Sequence, residues 1–229
     1  MTALSRAWPW LALAALAMLP ELALAHDISE ANRAAIERMD GPQFIPFAYL
    51  GAKHMVTGID HVLYLVGVVF FLFRLRDVVL YVSMFAVGHS LTLIGGVLMG
   101  TGANAHIVDA IIGLSVVYKA VENLGGFAKI GFNFDSRLAV LGFGLAHGLG
   151  LATKLMNLTV SQNGLLANLI GFNVGVEIGQ VVVLIVVVAL LNLWRRSPSF
   201  GKGAFYANVA LIMAGLALTG NQIAGYLAS

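Results

Sequence analysis

The chain has no cysteine among its 229 residues. That excludes disulfide bridges and any thiolate site for zinc or copper, so metal chemistry here must use nitrogen and oxygen donors. Charge is also scarce. Only 10% of residues are Asp, Glu, Lys or Arg, where a soluble domain carries about 25%. With 59% hydrophobic residues and a mean hydropathy of +0.89, the chain cannot clothe itself in polar groups, and one large soluble domain is excluded. The net charge of +2 comes from scattered residues, with no basic stripe to hold a nucleic acid. No phosphate-binding G-x-x-x-x-G-K-[ST] loop occurs, nor a nucleophile elbow or a metalloprotease helix motif. What is abundant is glycine, at 26 residues, as in helices that pack closely in lipid.

Residues 1–25 read as a cleavable signal peptide. Arg6 supplies the positive start, Trp8 to Leu19 a short apolar core, and Ala23-Leu24-Ala25 the small residues of a cleavage site. Pro20 and Glu21 end the run after about a dozen residues, short of a membrane span; the competing reading is an uncleaved first helix. Cleavage would expose His26, whose amine and ring nitrogen can chelate a metal together, or which simply begins a solvated tail. Residues 26–50 are polar and read as a periplasmic N-terminal segment, with a short surface helix around Glu30 to Met39. Residues 51–229 read as the membrane domain.

Six apolar segments lie there, at about 55–73, 78–99, 105–122, 137–154, 164–193 and 204–227. Each is long enough to cross hydrocarbon at about 1.5 Å per residue. The expectation is an all-α polytopic membrane protein, a six-transmembrane-helix bundle following the signal peptide. Alternation from an outside residue 26 puts Arg74, Arg76, Lys129, Arg137, Arg195, Arg196 and Lys202 on the inner side. Arg33, Arg38, Lys53 and Lys154 stay outside, in agreement with the positive-inside rule. A bacterial inner membrane with a periplasmic mature N-terminus follows.

Ionisable groups in such segments are costly and mark binding sites or ion paths. His54, Asp60 and His61 occupy the outer part of the first segment, His89 the middle of the second and His147 the middle of the fourth. His54 and His61 share a helix face but lie about 10 Å apart on a straight helix, too far for one ion with ligand bonds of about 2 Å. Either the helix breaks near Gly58 or there are two stations, and the spacing favours two. Thr92 lies a turn beyond His89. In the fifth segment Asn173, Glu177 and Gln180 form a polar row nearly opposite Gly171, Gly175 and Gly179. The glycine row should pack on a neighbour and the polar row should face the interior. His106 reads as interfacial, and Glu122 as a partner of Lys119 at the inner surface. The expected metal ligands are His54, Asp60, His61, His89, His147, Glu177 and His26, with Asn173, Gln180 and Thr92 in support. Imidazole with carboxylate and no thiolate suits a divalent transition metal, nickel or cobalt first, with zinc, copper or iron open.

The stretches His54-Met-Val-Thr-Gly-Ile-Asp60-His61, Gly88-His89-Ser90-Leu91-Thr92-Leu93, Gly144-Leu-Ala-His147-Gly148-Leu-Gly150 and Phe172-Asn173-Val-Gly175-Val-Glu177-Ile-Gly179-Gln180 resemble the HupE/UreJ family, its HupE/UreJ-2 branch most closely. These are hydrogenase and urease accessory membrane proteins regarded as nickel permeases. The resemblance covers about residues 50–227. It departs from a second family motif, F-H-G-x-[AV]-H-G-x-E, where Phe143 stands in place of the first His and Gly150 in place of Glu. The resemblance implies transport; the leading reading of the residues is a permease in which His26 and His54 would capture a metal ion and Asp60, His61, His89, His147 and Glu177 would replace its water. The rival readings are an intramembrane zinc-dependent hydrolase and a metal-binding accessory or chaperone protein. Partners of the leading reading are the metal ion and the lipid bilayer, with a second copy or a periplasmic metal donor as protein partner and no nucleic acid.

Overall fold

The computed structural model describes residues 36, 39–132, 134–156 and 162–229. Eight helices run through these residues, and no strand occurs among them. The signal peptide, His26 and most of the helix expected around Glu30 to Met39 lie outside the described residues.

The first apolar segment folds as two helices, α1 (Phe44–Thr57) and α2 (Ile59–Val69), separated by Gly58 in an extended conformation. α1 thus begins inside the stretch read as the periplasmic segment. α3 (Leu75–Met99) ends on Gly100 in the left-handed region, where a residue without Cβ closes a helix at least cost. α4 (Ala105–Asn123) is capped by Asn104, whose side chain accepts from Ile107 N–H, satisfying a donor that a helix start leaves orphaned. A single turn, α5 (Gly126–Lys129), leads to α6 (Ser136–Met156), α7 (Leu165–Arg195) and α8 (Phe200–Ala228).

Among these, α3, α6, α7 and α8 are long and apolar enough to cross a membrane. α4 has the length but carries Asp109, Lys119 and Glu122, and α2 is apolar but only 11 residues long. α7 exposes Val181, Val182, Ile185, Val186 and Leu190, an apolar face that water would penalise and lipid would not.

The helices associate in three close pairs, α3 with α6, α1 with α7, and α4 with α8. Glycine sets the approach. A Cβ on Gly175 would strike the carbonyl of Ala48, and one on Gly148 the carbonyl of His89. The rest of the glycine row behaves alike: Gly171 meets Phe44 and Gly179 meets Ala52. The rising numbers on both sides make α1 and α7 parallel. α3 and α6 are parallel too, with Gly88 against Leu141 and Gly96 against Ala152. α4 and α8 are antiparallel, with His106 on Gln222 and Ala110 on Thr219. These directions are the ones that alternating crossings produce.

One end of the bundle holds Lys119, Arg137 and Arg195. There Arg195 donates to the carbonyls of Val69 and Phe70, each at 2.7 Å, closing the end of α2. Lys119 is buried and paired with Glu122, and Ser136 bonds both, as the sequence suggests for this pair. Just before α6, hydrogen bonds from the Arg137 side chain hold the Asp135 carboxyl below the usual carboxylate range. At the opposite end, Asn168 of α7 bonds Gly41 O and Gln43 N, tying the entry of α1 to α7.

Candidate metal centre

The break at Gly58 builds the site. Gly58 donates to the carbonyl of His54 at 2.8 Å and its own carbonyl accepts from Val62. The chain therefore ends one helix and starts another within a single residue. This folds His54 back toward Asp60 and His61. The two rings stand edge to face with centroids 4.9 Å apart. Of the two options the spacing left open, the helix break at Gly58 is the one seen, and it brings the His54 ring beside that of His61.

His147 reaches the same place from α6, its ring 5.0 Å from that of His61. Asp60, His61 and His147 are buried, and each offers a ligand atom within 4.8 Å of the others. His61 Nδ1 lies 2.9 Å from Asp60 Oδ2. His147 Nδ1 contacts the carbonyl of Phe143 at 2.8 Å. A carbonyl only accepts, so in the neutral ring Nδ1 carries the proton and Nε2 presents its lone pair. Metal-binding imidazoles are commonly oriented this way. Nitrogen and carboxylate donors at this spacing suit a divalent transition metal, with slight contraction onto bonds of about 2.0–2.2 Å.

The surroundings are apolar. Phe85 packs 5.0 Å from His147 and 6.4 Å from His61. Tyr64, one turn beyond Asp60 on α2, is fully buried with its ring 5.5 Å from His147. Among the described residues its hydroxyl has no hydrogen-bond partner. Toward the basic end, Tyr64, Phe143 and Tyr118 form a chain of ring contacts at 5.9 and 5.2 Å, separating the cluster from Lys119 and Glu122. Toward the opposite end lies a recess lined by His54, His61, Asp109, Ile112, His147, Gly150, Leu151 and Lys154. Asp109 and Lys154 pair across it at 2.9 Å.

The other expected residues divide. His89 is buried with its ring 6.2 Å from His61 and stacked on Phe85. Neither of its nitrogens has a partner among the described residues, so it stands directly behind the cluster. Thr92 serves the helix pair, donating to Leu145 O of α6 at 2.7 Å. Asn173 and Gln180 are buried, and Asn173 donates to Leu169 O. Glu177 is exposed, contrary to the expectation that it faces the interior. At about 100° per residue it lies about 40° beyond Asn173 and 60° beyond Gln180. The buried sector, filled by Leu169, Val176 and Val183, turns the other way. His106 is half-buried and bonded to Gln222 at 2.9 Å. Sequence reasoning missed Tyr64, Asp109 and Lys154 as neighbours of the cluster. The signal available was two opposite charges, one near the start of α4 and one in the last turn of α6.

Among the described residues, the fold and this cluster define an all-helical protein with four helices long and apolar enough to cross a membrane and a buried histidine–aspartate cluster whose donor atoms could hold a metal ion. The chain belongs to the HupE/UreJ family: the family model described as HupE / UreJ protein matches residues 30–229. No curated protein and no solved structure matches the chain.

Proposed function

We propose that this protein is a permease for a divalent transition metal, nickel or cobalt first, in the bacterial inner membrane. Asp60, His61 and His147 are its central ligands, His54 is the ligand nearest the mouth, and His89 stands in reserve behind them. The observation that carries this reading is the convergence of Asp60, His61 and His147 from two helices in a buried cluster. Family membership supports it. Six crossings are the reading that suits the pair directions, with α1–α2 counted as one broken span and α4 as another. The broken first span supports transport over storage, because an extended residue in mid-membrane is tolerated where it lines a path for polar cargo. The periplasmic N-terminus, the signal peptide over 1–25 and a capturing role for His26 belong to the same proposal.

The test has two arms. Purified protein in detergent is titrated with Ni(II) and Co(II), and accumulation is measured in cells lacking their other uptake systems. Asp60→Ala and His61→Ala should each abolish high-affinity binding and uptake. Unchanged uptake in both variants refutes the assignment. Binding without uptake would favour the accessory or chaperone reading.

A further inference from the structure

Asp109 and Lys154 face each other across the recess that leads to His54, His61 and His147. Asp109 also lines a second recess, between α2, α4 and α8, whose wall includes Asp60. It is therefore the one acidic residue of the two linings that borders both the imidazole side and the carboxylate side of the cluster. Ile112 and Leu151 lie in the same wall, and a Cβ on Gly150 would approach Asp109 Oδ1 at 3.6 Å. The Asp109 side chain is only 7% exposed and that of Lys154 15%. A charge in such surroundings is weakly screened and must be balanced nearby.

The balance is informative. Resting, Lys154 neutralises Asp109, and Asp60 lies against His61 Nδ1. A dication bound at Asp60, His61 and His147 carries two positive charges against the single negative charge of Asp60. Release of Asp109 from Lys154 supplies the second. Lys154 is suited to let go: it sits in the last turn of α6, and its ammonium rides on a long flexible stem that can swing toward the bundle end.

We propose that Asp109 is a further binding residue for the incoming divalent cation, and that Lys154 is a tethered cation holding its place until the metal displaces it. This rests on the metal-permease reading above. The exchange selects for charge: a monovalent ion gains too little from one carboxylate to dislodge the ammonium, whereas a dication recruits both. It also keeps Asp109 from being buried as an unpaired charge between transport events. No bond is made or broken apart from coordination and the ion pair.

The experiment is calorimetric titration of the full-length purified protein with Ni(II) and Co(II), with thermal melts run in parallel. Lys154→Met should tighten binding by about ten-fold or more, since a positive charge next to the site is removed. Asp109→Asn should weaken it by a similar factor, leaving the ammonium to oppose the ion. Lys154→Arg, which keeps the charge, should bind as the parent does. Methylammonium added to Lys154→Ala should weaken metal binding again by refilling the vacated place. Opposite signs for the two single variants are the signature. If both variants only melt earlier while Kd stays within two-fold of the parent, the pair is a strut and the proposal is overturned. Insensitivity of the Lys154→Ala variant to methylammonium also overturns it, and needs no Asp109 variant to fold. Asp60→Ala serves as the separating control. Lost binding there, with Asp109 and Lys154 variants unchanged, removes this inference alone; retained binding removes the site itself.

Discussion

His54 and His61 are seven residues apart in the chain, yet their ring centroids lie 4.9 Å apart. A continuous helix would separate them by about 10 Å along its axis. The difference is the single extended residue Gly58. Its φ of −70° is open to any amino acid, so glycine is not needed there for backbone freedom. It is needed for room: a Cβ would stand 2.8 Å from His54 O and 2.9 Å from His61 Nδ1.

Gly58→Ala should therefore shift the end of α1 at the His54 carbonyl and push the His61 ring out of register. Overpacking of this kind costs about 1–3 kcal/mol, seen as an earlier thermal melt. Nickel affinity should fall by about ten-fold or more, since one carbon–nitrogen contact of this kind displaces a ligand by a large part of a bond length. A variant that binds nickel as tightly as the parent would show that His61 does not need its present position.

The ligand set makes a second prediction, against the polar row on α7. On the proposed ligand set His147→Ala should lose metal binding outright, because its Nε2 is the lone pair that α6 offers to the cluster. Glu177→Gln should bind metal with parental affinity, since its side chain is exposed, just outside the buried sector. Calorimetry on the two proteins decides. A large loss with Glu177→Gln would mean that this carboxylate reaches a site the single chain does not form.

How far the sequence carried can be seen in these residues. The apolar segments are long, so the helices are legible: α3, α4, α6, α7 and α8 fall where hydropathy puts them, and α3, α6, α7 and α8 are apolar enough to cross a membrane. Asp60, His61 and His147 are legible because a charge in an apolar run has few reasons to exist. The glycine row of α7 is legible for the same periodic reason. Glu177 was misplaced because periodicity ranks faces only to within about 40–60°, and the packed sector of α7 ends inside that margin. The Gly58 break was one of two options, since a glycine in a helix permits a break without requiring one. The Asp109–Lys154 pair spans 45 residues. Each partner sits near a helix end, where a lone charge reads as interfacial, and only the fold brings them together.

The α3–α6 pair separates packing from hydrogen bonding. Thr92 donates to Leu145 O across the pair, and interhelical bonds of this type in membranes average about 0.6 kcal/mol. Thr92→Val should shift the melt by little. Gly148→Val should do far more, because its side chain would occupy the space of the His89 carbonyl and the Thr92 hydroxyl, and backbone cannot retreat as a side-chain tip can. An earlier melt by about 1–3 kcal/mol is expected, with lost metal binding as α6 moves and carries His147 away. If Thr92→Val proves the more harmful of the two, close backbone approach is not what holds the pair.

At the basic end, Arg195 joins the end of α7 to the end of α2 through the carbonyls of Val69 and Phe70. Its guanidinium also lies 4.5 Å from the centre of the Phe73 ring. Helix ends leave carbonyls without intrahelical partners, and hydrogen bonds to a charged donor contribute about 1.5–3 kcal/mol. Arg195→Ala should therefore lower stability in detergent by about 2–4 kcal/mol. Arg195→Lys keeps the charge but offers a compact ammonium in place of a planar fork, so it should recover only part of the loss. Both variants should bind nickel with parental affinity once folded, because Tyr64, Phe143 and Tyr118 lie between this end and the cluster. Thermal melts followed by titration of the folded fraction test both halves. Full recovery by lysine would reduce the residue to a simple charge, and a fall in nickel affinity would mean that the aromatic layer transmits the position of α2 to Asp60 and His61.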